Sequence, residues 1–80
     1  MATLAVEVDA TAVDVATDDE ALRVVLADGR EISVPLMWFP TLLAATPEQR
    51  AGWRLMGRGI GIAWDDLDEH LSVAGLLRQH

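Results

Sequence analysis

Acid and histidine are densest at Asp65-Asp66-Leu67-Asp68-Glu69-His70, directly after Trp64. Clustered carboxylates can chelate a divalent cation, and a neighbouring imidazole can add a nitrogen ligand. The spacing argues against a dedicated site. An EF-hand loop sets its oxygen ligands around a central glycine, and this stretch has none. Zinc calls for two or more histidines at a set interval, and the second histidine is His80. The plainer reading is a solvated acidic turn. A weak metal or small-ligand site on Trp64, Asp65, Asp68 and Glu69 is the alternative.

Gly57-Arg58-Gly59-Ile60-Gly61 invites comparison with a phosphate loop. In G-x-G-x-x-G the third glycine would fall at Ile62, and the chain has no lysine to complete a P-loop. These glycines also lead into an expected strand, whereas phosphate loops open a helix. Ser33 and Ser72 are the only serines, and neither stands in a nucleophile motif with a histidine. Paired carboxylates would need a pocket that a domain this small rarely encloses. The sequence therefore predicts no enzyme and assigns no catalytic, cofactor-binding or metal residue.

Aromatic side chains and arginines are the usual anchors of protein interfaces. Trp38, Arg54, Arg58 and Trp64, with the acids Asp65, Asp68 and Glu69, form the candidate partner-binding set. The competing reading places Trp38-Phe39, Trp53 and Trp64 in the core.

The elements that must hold these residues are short. Leu4, Val6 and Val8 alternate with polar or small residues, as do Val13 and Val15. Apolar parity changes from even to odd between them, which asks for a turn or bulge near Asp9–Thr11 or a loose first segment over 1–9. A strand is expected at Ala12–Ala16. Leu22, Val24 and Leu26 alternate up to Asp28-Gly29, and Ile32, Val34 and Leu36 alternate away from it, a strong hairpin signal. A two-residue loop would put the two apolar sets on opposite faces. A three-residue loop, Ala27-Asp28-Gly29, pairs Val24 with Ile32 and Leu22 with Val34 and unites them. That predicts a type I turn with Gly29 in the left-handed region. Pro35 closes that strand or marks a sheet edge.

Pro40 starts a short helix to Ala45, and Thr46-Pro47-Glu48-Gln49 reads as a capping box opening a second, Pro47–Leu55, with Trp53 and Met56 on its inner side. Gly57 is a left-handed stop. Gly59–Trp64 reads as a strand with Ile60, Ile62 and Trp64 on one face. Ser72 caps a last helix, Val73–Gln79, with Leu76 and Leu77 inward. The expected architecture is α+β: an antiparallel sheet of three to four strands, a meander with its hairpin at Asp28-Gly29, packed on two or three short helices. The 80 residues make one domain.

Composition sets further bounds. Hydrophobic residues make up 51% and charged residues 24%, a globular mixture. The formal net charge is −7 and every strong cation is an arginine, which disfavours direct nucleic-acid or anionic-membrane binding. Long-range attraction would favour a basic protein partner. The absence of cysteine removes disulfides and thiolate metal sites, and no stretch reads as a signal peptide or membrane span, so a cytoplasmic location is expected.

Several blocks together resemble a known family. They are Asp28-Gly29-Arg30, Val34-Pro35-Leu36, Trp38-Phe39-Pro40 with Leu42, Ala45-Thr46-Pro47-Glu48-Gln49-Arg50, and Trp53. Gly57, Gly59, Ile62, Trp64, Leu67-Asp68-Glu69, Leu71-Ser72-Val73 and Leu76-Leu77 complete the set. From Asp28 onward the chain is similar to the bacterial domain-of-unknown-function family twenty-four forty-two. It departs from the family pattern at Thr41, where arginine is common, and at Ala63, where histidine is common. It departs again at Asp65 in place of proline and at His70 in place of an acid. The resemblance implies an α+β domain of three or four strands with short helices and does not imply an enzyme. It also implies a setting beside a gene for a small basic protein, in an arrangement like a toxin–antitoxin pair. The functional expectation is an acidic, antitoxin-like interaction module, with a self-assembling homo-oligomer as the alternative.

Overall fold

The structure, a computed structural model, describes residues 11–79. The alternation at Leu4–Val8 and the expected turn at Asp9 lie outside the described residues. Strand β1 (Ala12–Thr17) pairs antiparallel with β2 (Ala21–Leu26), and β2 pairs antiparallel with β3 (Glu31–Pro35). The hairpin has the expected register, Val24 opposite Ile32 and Leu22 opposite Val34. Gly29 N–H donates to the Leu26 carbonyl at 3.0 Å, and Leu26 N–H donates to the Arg30 carbonyl at 2.8 Å. Gly29 sits at φ +92, so the loop is the three-residue kind with a left-handed glycine. All of Leu22, Val24, Leu26, Ile32 and Val34 are buried on one face.

The expectation that Val13 and Val15 share one face is not met, because β1 bulges at Val13. Ala12 opposes Leu26 while Asp14 opposes Val25, so Val13 is the extra residue and is turned outward. The bulge lets Ala12 and Val15 both face the core. Pro35 ends β3, which is also an edge strand.

A 3-10 turn, Leu36–Trp38, leads into helix α1 (Pro40–Ala44) and helix α2 (Pro47–Arg50). The capping box forms as expected: Gln49 N–H donates to Thr46 Oγ1 at 3.1 Å, and Thr46 N–H donates to Gln49 Oε1 at 2.9 Å. The helix expected to reach Leu55 stops at Arg50. Trp53–Met56 is instead strand β4, paired with β5 (Gly61–Trp64), which pairs in turn with β6 (Glu69–Ser72). The shift from helix to strand follows from tertiary context, since Leu55 and Trp53 reach the core by lying across β5. Gly57 takes a left-handed φ of +55, as expected, but it ends β4 rather than a helix. Ile60 falls in the turn before β5 and is 62% exposed, so it does not share the buried face of Ile62 and Trp64.

The class is α+β as expected, but in place of one sheet of three to four strands the described residues form six strands in two three-stranded sheets, because Trp53–Met56 and Glu69–Ser72 pair with β5 rather than with β3. Both sheets face one connected core. Leu22, Val24, Val34, Leu36, Leu42, Ile62, Trp64 and Val73 in it are fully buried. Helix α3 (Val73–Gln79) packs against β6 and β3 and so bridges the sheets, and Ser72 Oγ caps it by accepting from Gly75 N–H at 3.1 Å. Leu76 is buried and Leu77 packs against the core's margin. Among the described residues no helix is long and apolar enough to cross a membrane.

Candidate functional site

Alternation along the second sheet separates two faces. Leu55, Ile62 and Leu71 align across the strands and point to the core. Met56, Gly61 and Ser72 form the next row on the opposite face, with Arg54 and His70 exposed on it and Ala63, between those two, covered and fully buried.

The outward face is charged at one end. Arg54 Nε and Nη2 donate to the two oxygens of Asp65 at 2.8 and 3.2 Å. These bonds, with the charges of Arg54 and His70 nearby, hold the Asp65 carboxyl below its ordinary range. The same contact raises the Arg54 guanidinium above its own. Both side chains are more than half exposed, so the pair orders the surface more than it stabilises the fold. Asp65–Leu67 forms a 3-10 turn, and Asp68 ends it at a left-handed φ of +52. Asp66, Asp68 and Glu69 form no ion pair among the described residues.

At the other end the face is apolar. A shallow cleft of about 410 Å³ lies over Gly61, walled by Met56, Ile60, His70, Leu71 and Ser72. A smaller one, about 170 Å³, lies among Phe39, Leu76 and the same three β6 residues, His70, Leu71 and Ser72.

A third cleft, about 270 Å³, opens between β1 and α2, with Trp53 and Arg50 in its wall. Arg50 is buried, and its donors are already engaged. Nε donates to the Leu42 carbonyl at 2.9 Å and Nη2 to the Leu43 carbonyl at 3.3 Å. Nη1 reaches Asp19 Oδ1 at 3.2 Å and the Asp18 carbonyl at 3.5 Å. The guanidinium thus caps carbonyls near the end of α1 and ties them to the β1–β2 turn. Its role is structural.

The structure brings Arg54, Asp65, Asp68 and Glu69 into one region. Trp64, expected at the partner-binding face, is fully buried, and its Nε1–H donates to the Arg50 carbonyl at 2.9 Å. A large indole that fills core between two sheets has no surface left to offer. Trp38 is 48% exposed on its 3-10 turn, beside exposed Met37 and followed by exposed Leu43. Arg58 is exposed at φ +63 and forms no ion pair among the described residues. Among the described residues no three His, Cys, Asp or Glu side chains are placed to hold a metal ion. Nothing in the residue types points to Ile60 or Met56 as lining this surface, and His70 stands out in the sequence only beside the acids of the 65–69 turn. Ile60 shares the parity of buried Ile62, and only the turn at Gly57–Gly59 sets it outward.

The sequence pattern described as protein of unknown function (DUF2442) matches residues 10–80. A crystal structure of a protein of unknown function from Rhodospirillum rubrum is similar at TM-score 0.76 and 27% identity, over 86% of each chain. A solution structure of an uncharacterized protein from Chromobacterium violaceum is similar at TM-score 0.70 and 27% identity. That match spans 85% of this chain and 64% of the other. No curated protein matches the chain.

Proposed function

Since the chain belongs to the DUF2442 family of proteins of unknown function, we propose its role from its own surface: it is a non-catalytic protein-interaction module for a basic partner. The observation that carries this reading is an imbalance. The acids Asp14, Glu20, Glu31, Glu48, Asp66, Asp68 and Glu69 form no ion pair among the described residues, against only Arg58 and Arg78 on the basic side. Exposed Met37, Trp38, Leu43 and Ile60 add apolar anchors to that acidic surface. A basic protein would be steered to it, while nucleic acid and anionic lipid would be repelled. The family's setting, as the resemblance implies it, supports a cytoplasmic two-protein system in which this chain is the acidic, antitoxin-like member.

Co-expression with the product of the adjacent gene, followed by size exclusion, tests the reading. Co-elution at micromolar concentration, weakened by salt, is the expected result. Separate elution at low salt overturns it.

A further inference from the structure

We infer that the open edge of β6 receives an extended, arginine- or lysine-bearing segment of the partner by strand addition, with alternate apolar side chains entering the clefts on either side. The inference rests on the interaction-module reading and adds to it the surface and the form of the ligand.

Strand β6 is an outer strand of its sheet. Val73 N–H donates to the Ile60 carbonyl at 3.0 Å and continues the β5–β6 ladder. Antiparallel pairs alternate, so Leu71 and Glu69 turn their backbone groups to β5 while His70 and Ser72 turn theirs outward. The N–H and carbonyl of His70 and the N–H of Ser72 form no backbone bond between elements among the described residues, while the Ser72 carbonyl is taken by the first turn of α3. An edge of this kind is a template for another strand.

The side chains around it favour one kind of guest. The cleft over Gly61 and the cleft at Phe39 and Leu76 share His70, Leu71 and Ser72, so they flank the same strand. An added strand sends successive side chains to opposite faces of the sheet, one set toward each cleft. Asp66, Asp68 and Glu69 stand at the start of β6 without a cationic partner among the described residues. A basic guest would meet them there. The segment over 1–9 is a poor guest because Glu7 and Asp9 are its only charged side chains. A second copy of the chain brings its own charge of −7.

The test uses the full chain and a capped octapeptide with two arginines at each end and valine and leucine between, with glutamates in place of the arginines as control. Backbone amide shifts are followed by NMR. Shift changes are expected at residues 69–72 and at Met56 and Ile60, with the arginine peptide bound at least about ten-fold tighter than the control. His70→Pro removes an outward N–H while sparing the bonds to β5, and should cost about ten-fold or more in affinity. Gly61→Val narrows the larger cleft; its Cβ would meet the Leu71 carbonyl at 3.4 Å and Met56 at 3.7 Å, ordinary contact distances, on an open face of the sheet. It should weaken binding similarly and serves if the proline variant fails to fold. No binding at about 1 mM peptide, shifts confined to β3 or to Met37–Trp38, or binding unmoved by either folded variant would each overturn the inference. So would protection of the β6 edge in the concentrated chain alone, which would mark self-association. Peptide binding with separate elution of the neighbouring protein sinks the two-protein reading and leaves the edge standing. Co-elution that survives Gly61→Val does the reverse.

Discussion

Arg50 is a permanently charged group that the fold hides, and a guanidinium cannot escape burial by losing its proton. Its burial is offset by carbonyl acceptors from Leu42, Leu43 and Asp18 more than by Asp19, whose side chain is 90% exposed. Arg50→Met keeps apolar bulk but strips those carbonyls, and should cost about 2–4 kcal/mol in urea denaturation. Arg50→Lys should lose nearly as much, because a single ammonium cannot match the fork. Asp19→Asn should change stability little; a loss equal to that of Arg50→Met would mean the ion pair, not the carbonyl capping, holds the arginine. Asp18 gives the pH counterpart. Its carboxylate accepts from the backbone N–H of Glu20 at 2.7 Å, from Arg23 at 2.7 Å and from Ala21 N–H at 2.8 Å. The Glu20 N–H is the strongest influence, and together these lower its pKa from 3.8 to about 2. A depressed carboxyl contributes stability that is full above the unfolded value and fades as pH falls from 3.8 toward 2. An NMR titration should therefore find Asp18 ionised down to about pH 2, and Asp18→Asn should flatten the acid limb of the stability curve between those values. Arg23→Ala should raise the midpoint only part of the way, since backbone donors remain.

At the scale of elements, two glycines separate strain from crowding. Gly29 at φ +92 has nothing near a built Cβ, so Gly29→Ala should cost only the left-handed strain, about 1–2 kcal/mol. Gly59 at φ +94 lies against Ala12, and an added Cβ would collide with the Ala12 carbonyl. Gly59→Ala should cost about 3 kcal/mol or more, strain and overpacking together, with thermal melts comparing the pair. Equal losses would show that the contact between the Gly57–Gly59 turn and β1 is easily opened. The same elements explain what was legible in the sequence. The β2–β3 register could be read because both strands keep strict alternation through a turn of known chemistry at Asp28-Gly29. The bulge at Val13 was not legible, because Val13 and Val15 read as one alternating apolar face. Strands β4 and β6 could not be read. Trp53–Met56 follows a capping box and completes a helical pattern, and Glu69–Ser72 is too short to display a period. Their identity comes from β5 lying between them. The Arg54–Asp65 pair was hidden for the same reason, since only the opposition of Trp53 and Trp64 brings the two side chains together.

For the whole molecule, charge and core pull on different properties. One core joins both sheets through Trp64, Ile62 and the bridging helix α3, so the fold's stability is mainly apolar. The charge of −7 adds little to that core and acts against compactness through self-repulsion. Screening length shrinks from about 30 Å at 0.01 M salt to about 8 Å at 0.15 M. Repulsion among acids such as Glu48, Asp66 and Asp68 should weaken over that range, and the melting temperature of the chain alone should rise by about 2–5 °C. Attraction to a basic partner is screened by the same ions, and its association rate should fall about ten-fold or more. Opposite responses to salt are therefore the signature of an acidic surface kept for binding. A melting temperature and a partner affinity that both rise with salt would instead point to the exposed apolar residues Met37, Trp38 and Ile60 as the main contact, because burial of apolar surface is not weakened by screening.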